Sequence, residues 1–90
     1  MLNIDLNMSH AAIPSYVEMI EFIAAGTTPQ SVAEYQASEE AQARVEELIA
    51  REKEGLLSPE EKSELDHFME LEHIMRMAKA RARQILRSGP

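Results

Sequence analysis

Cysteine is absent from the 90 residues, so neither a disulfide framework nor a thiolate metal site holds this chain together. That absence fits a reducing compartment. Tryptophan is also absent, and the two Phe and two Tyr all lie at or before Phe68. The C-terminal stretch therefore has no ring on which an unpaired base would stack. Three glycines, widely scattered, make no phosphate-cradling loop. No apolar run approaches the roughly 18–20 residues that span a bilayer. The opening MLNIDLNMSH has neither the basic nor the apolar region of a secretory signal. The expectation is a cytoplasmic protein with no membrane attachment. No Ser/His/Asp or Cys/His constellation is visible, so the chain reads as non-enzymatic and without a cofactor.

What the chain has in excess is acid, with a net charge of −7. Its distribution matters more than its total. Residues 1–72 hold sixteen acids and four bases, whereas residues 73–90 hold five bases and no acid. An acidic body repels phosphate, which leaves the basic C-terminal stripe as the one place for a nucleic-acid contact. Two opposed fields on a small chain indicate a binding surface. Ninety residues make one domain, and a chain this short buries only about 60–65% of its unfolded surface.

Local signals predict an all-α fold. Residues 1–14 form an N-terminal arm in which Leu2, Ile4 and Leu6 alternate with Asn3, Asp5 and Asn7, a period-two pattern with no partner strand in the chain. It reads as a loosely packed arm, or as an edge strand for a partner's sheet. A single helical domain is expected over 15–90. Ser15 and Glu18 make a capping box for a helix over about 16–25, closed by Gly26. Thr28-Pro29 starts a short helix, about 29–36. Ser38 caps a third over about 39–54, ending at Gly55. Ser58-Pro59-Glu60-Glu61 is the strongest start signal, and no Gly or Pro interrupts the following run until Gly89, which predicts a helix over about 59–87. The short connection between the last two makes them an antiparallel hairpin.

The third helix is too short to cover the whole fourth, so residues 74–87 are expected to overhang. Phe68, Leu71, Met75, Ala78, Ala82 and Ile85 form a seam at 3,4,3,4,3 spacing along it. The first helix, a second copy or another protein would cover its far end. Arg76, Lys79, Arg83 and Arg87 form a cationic stripe beside that seam, within about 80° on a helical wheel. Such a stripe complements the helix dipole, faces an acidic partner or a sister copy, or contacts phosphate. Six Met residues suit either irregular core packing or an adaptable surface. Glu70 and His73 have the Glu-x-x-His spacing of helical di-iron sites, but such sites need a second motif and two more carboxylates. A solvated polar face is the plainer reading, so no metal is expected. His67 is read as a partly buried histidine, and His10 as a lone one.

The stretch from Phe22 to Arg83 resembles a family of small bacterial proteins common in cyanobacteria. The likeness rests on Phe22, Ile23 and Pro29; on Ser38, Glu39 and Arg44; on Gly55, Leu57, Ser58, Pro59, Glu60 and Glu61; and on Glu64, Leu65, Asp66, Leu71, Glu72, His73, Arg76, Lys79 and Ala80. Members resemble the smaller partner in two-gene pairs with HNH-type or other small nucleases, in the manner of a toxin–antitoxin module. The resemblance implies an antitoxin-like or regulatory partner of a nuclease. It would bind through the apolar seam and the basic stripe, with the acidic hairpin as a phosphate mimic. Two other readings stand beside it: a self-assembling dimer or tetramer with a scaffold role, and a DNA-binding autoregulator using the basic C-terminal helix.

Overall fold

The computed structural model describes residues 13–89, and within them the protein is all-α with no strand. Its helices are α1 (Val17–Ala24), α2 (Pro29–Glu34), α3 (Glu39–Lys53) and α4 (Pro59–Ser88). The expected arm lies, up to residue 12, outside the described residues. At about 1.5 Å per residue α4 is a rod of about 45 Å. It sets the long axis of a molecule measuring 48 × 33 × 19 Å.

Three of the four helix starts follow the local chemistry of the sequence. Thr28 and Ser31 exchange side-chain-to-backbone hydrogen bonds across the first turn of α2, with Pro29 at its first position. The Ser38 hydroxyl accepts from the Ala41 amide at 3.1 Å. Ser58 and Glu61 form the reciprocal box at the start of α4, at 3.0 and 3.1 Å. Gly55, at φ 72°, ends α3. The Leu56 amide reaches back to Arg51 O and the Gly55 amide to Glu52 O, which satisfies two terminal carbonyls and turns the chain into α4.

The fourth start departs from expectation. Ser15 and Glu18 form no capping box, and α1 begins after Tyr16 with no side-chain cap. Both groups are engaged at longer range. The Ser15 amide donates to Glu64 Oε2 at 2.8 Å, and the Glu18 carboxylate accepts from the Ser38 amide at 2.8 Å. An α1 carboxylate therefore completes the N-terminus of α3. The short helix α2 also stops earlier than expected, because Tyr35 turns to φ −61°, ψ 135°. Its ring then packs on Phe22, with centroids 4.5 Å apart.

Met19, Val45, Leu48, Leu65, Phe68 and Met75 form the core, flanked by Tyr16, Phe22, Val32, Tyr35, Ile49, Leu57 and Leu71. Around it, α3 and α4 lie antiparallel. Glu64 binds Arg44 through Nη2 at 2.9 Å and Nε at 3.2 Å, and Arg51 binds Glu61 nearer the turn. The distal half of α4 does not overhang freely. The loop before α2 and its first turn (Thr27, Thr28 and Pro29), with Val32, lie along Ala78, Arg81, Ala82 and Ile85, and the α2 backbone runs closer to α4 than that of α3 does. Two alanines on α4 let the α2 backbone approach. The expected outside cover for this stretch is thus supplied in part by a six-residue helix of the same chain.

Leu48 has no exposed surface. Leu48→Ala is expected to cost about 2–5 kcal/mol, read as a fall in the urea midpoint. Glu64 supplies a pH test. Burial raises its pKa, but the Arg44 hydrogen bonds, the Ser15 amide and the Arg44 charge outweigh burial, so it lies below its ordinary 4.5. Glu61 is displaced the same way, by the Ser58 amide first and then by Arg51. A carboxyl with a lowered folded pKa stabilises fully above its unfolded value, and that stability is lost as pH falls through the folded one. Stability should therefore decline from about pH 4.5 downward. Glu64→Gln should be less stable by about 1–3 kcal/mol at neutral pH and should show a shallower acid decline in urea titrations.

Candidate interaction surface

The apolar seam lies mostly inside the molecule. Phe68, Met75 and Ala82 are buried at 6%, 6% and 4% exposure, and Leu71 and Ala78 are half-buried. Of the six seam residues only Ile85 is exposed. Whatever docks on α4 from outside meets other side chains first.

The cationic stripe is accessible. Arg76, Arg83 and Arg87 are exposed and Lys79 is half-buried. Arg76 approaches Glu72 at 3.9 Å, one turn back on the same helix. Lys79, Arg83 and Arg87 form no ion pair among the described residues. The contrast with α3 is sharp: Arg44 and Arg51 both bridge to acids of α4. The cause is the segregation of charge along α4, whose acids end at Glu72. Beyond that residue α4 has no acid of its own. Exposed Leu86 borders the stripe next to Lys79, which adds an apolar edge.

A groove that the sequence did not disclose continues the same face toward the acidic end. It has a volume of about 560 Å³ between α3, α4 and the segment before α3, and its lining is mixed: Val45, Ile49, Phe68 and Met69 with Gln42, Glu46 and Glu72. Glu72, Arg76, Lys79 and Arg83 follow one another at 4,3,4 spacing, so groove and stripe share one side of α4. The groove depends on how α3, α4 and residues 36–37 meet, which periodicity does not encode. A groove of mixed lining, with Met69 as its exposed apolar residue, therefore runs into an open cationic track. That arrangement suits an extended or helical partner with an apolar end and an acidic remainder.

The remaining candidates stand apart from this face. Glu70 and His73 are both exposed, and among the described residues no group of three or more His, Cys, Asp or Glu gathers to hold a metal. His67 is exposed, not partly buried, and its ring packs against Tyr16 with centroids 5.3 Å apart. His10 lies outside the described residues. No helix among the described residues is long and apolar enough to cross a membrane. No protein-family model, curated protein or solved structure matches the chain.

Exposed cations without an ion partner carry little of the fold. Arg83→Gln and Arg87→Gln, singly or together, are expected to change stability by no more than about 0.5 kcal/mol in a urea titration, because neither side chain has an acidic partner among the described residues.

Proposed function

We propose that the protein is a non-enzymatic interaction module whose binding face is the distal half of α4, and that its partner is a protein with an acidic surface. One observation carries this reading: Lys79, Arg83 and Arg87 are held on one side of a rigid helix with no ion pair among the described residues, on a chain that pairs the arginines of α3. Half-buried Ile49 and exposed Met69, in the neighbouring groove, give that face an apolar contact. Apolar contact then supplies affinity, and the cations fix orientation and speed encounter.

The resemblance to the smaller partner of two-gene nuclease pairs gives the specific form of this proposal, an antitoxin-like partner of a small nuclease acting in the cytoplasm. The acidic α3–α4 hairpin is the part of the molecule that would lie over a basic nucleic-acid cleft, while the distal α4 face holds the nuclease elsewhere.

The test is affinity capture from the native cells, with the wild-type chain and with a Lys79→Glu/Arg83→Glu/Arg87→Glu variant of matched helicity. The expected outcome is one stoichiometric companion held by the wild type, whose retention falls at least about tenfold for the variant and weakens as salt rises. The companion's nuclease activity should fall when the wild-type chain is added back. A companion retained equally by both proteins would sink the assignment of this face. A companion without nuclease activity would remove the antitoxin-like form and leave the interaction face standing.

A further inference from the structure

On the other side of α4, about 150° round the helix from the cationic stripe, lies a second exposed row. It consists of Glu70, Ile74, Met77 and Arg81, which fall within about 60° of one another on a helical wheel. Ile74 and Met77 are 52% and 55% exposed, the most exposed large apolar residues of α4. Glu70 and Arg81 form no ion pair among the described residues. The only side-chain partner of Arg81 among them is the neighbouring Gln84 amide oxygen, at 3.1 Å. Further exposed apolar side chains lie on α1. Tyr16 packs on His67, and Ile20 and Ile23, on the same side of α1 as Tyr16, are 45% and 49% exposed.

We infer that this row docks on the same row of a second copy, with the two α4 helices antiparallel about a two-fold axis level with Met75 and Arg76. The row is self-complementary in that orientation alone. Antiparallel pairing about this point sets Ile74 against Met77 of the second copy, and Met77 against its Ile74. At each end, Glu70 of one copy then meets Arg81 of the other. Parallel pairing would set Glu70 against Glu70 and Arg81 against Arg81, two like-charge contacts that cost affinity. The charge of the whole helix acts in the same sense. Residues 59–72 carry six acids and one base, residues 73–88 five bases and no acid, and antiparallel stacking lays each half on its opposite. An isologous contact of this kind closes on itself and makes a dimer. With about three turns of helix per copy, the contact is small, and the dimer should dissociate on dilution.

The experiment is sedimentation equilibrium of the full chain over a range of concentrations. The wild type should fit a monomer–dimer equilibrium. Glu70→Arg and Arg81→Glu should each weaken the dimer at least about tenfold, because each variant opposes like charges at both ends of the contact. Both positions are exposed, and circular dichroism checks that helicity is kept. An equimolar mixture of the two variants should recover the dimer. In the mixed pair the introduced arginine of one chain faces the introduced glutamate of the other at one end, and the native Arg81 and Glu70 face each other at the other end. A general loss of structure would not be rescued by mixing. A wild type that stays monomeric at every concentration overturns the inference. So does a dimer indifferent to both substitutions, and so does a mixture that fails to reassociate. None of these positions belongs to the cationic stripe, so failure here leaves the partner-binding proposal untouched.

Discussion

The Glu64 carboxylate is the point on which the arrangement of helices depends. One oxygen takes the Arg44 Nη2 from α3, and the other takes both Arg44 Nε and the Ser15 amide at the approach to α1. Three segments far apart in sequence meet on a single side chain that is only 10% exposed. Ionised and fully coordinated, such a group is favourable in a half-buried site, because its lone pairs are satisfied by a charged fork and a backbone donor. Left alone there it would be costly. Neighbouring Glu18 works in the same way, by lending α1's charge to the N-terminus of α3. The helices of this small domain are thus tied by carboxylates that reach between elements, where a larger protein would rely on a larger core.

Those reaching carboxylates mark the boundary of what was legible beforehand. Ser58 and Glu61 are three residues apart and cap the helix they stand in, so a local rule finds them. Ser15 and Glu18 have the same spacing, but their partners are 49 and 20 residues away, and only the folded chain brings those within reach. The apolar seam on α4 was legible from its spacing, but its cover was not. Six residues from Pro29 to Glu34 are too few to carry a periodic signal, yet they are enough to lie against two alanines. The cationic stripe was legible because charge and helical phase are both sequence properties. The groove beside Met69 was not, because it exists only once residues 36–37, α3 and α4 are brought together.

Segregation of charge along α4 gives its two open faces different characters. On one, Lys79, Arg83 and Arg87 stand without an acid among the described residues, and the face lacks a neutralising surface. On the other, one acid and one base bracket two apolar side chains, and the face carries its own complement. A single helix can in this way present one surface to a different protein and another to its own kind, with no shared residues between them. The rod is suited to this because it is long, continuous and held mainly along a third side.

The brevity of α2 has a consequence for motion. It is bounded by Gly26 at φ 96° on one side and by the extended Tyr35 on the other, so lifting it as a unit would break no helical hydrogen bond of α3 or α4. Backbone amides in the distal turns of α4 should then exchange their hydrogens with solvent at a rate set by that lifting, well before global unfolding releases those near Leu65 and Phe68. Each such opening would bare Ala78 and Ala82, a strip of small side chains that the resting shape covers.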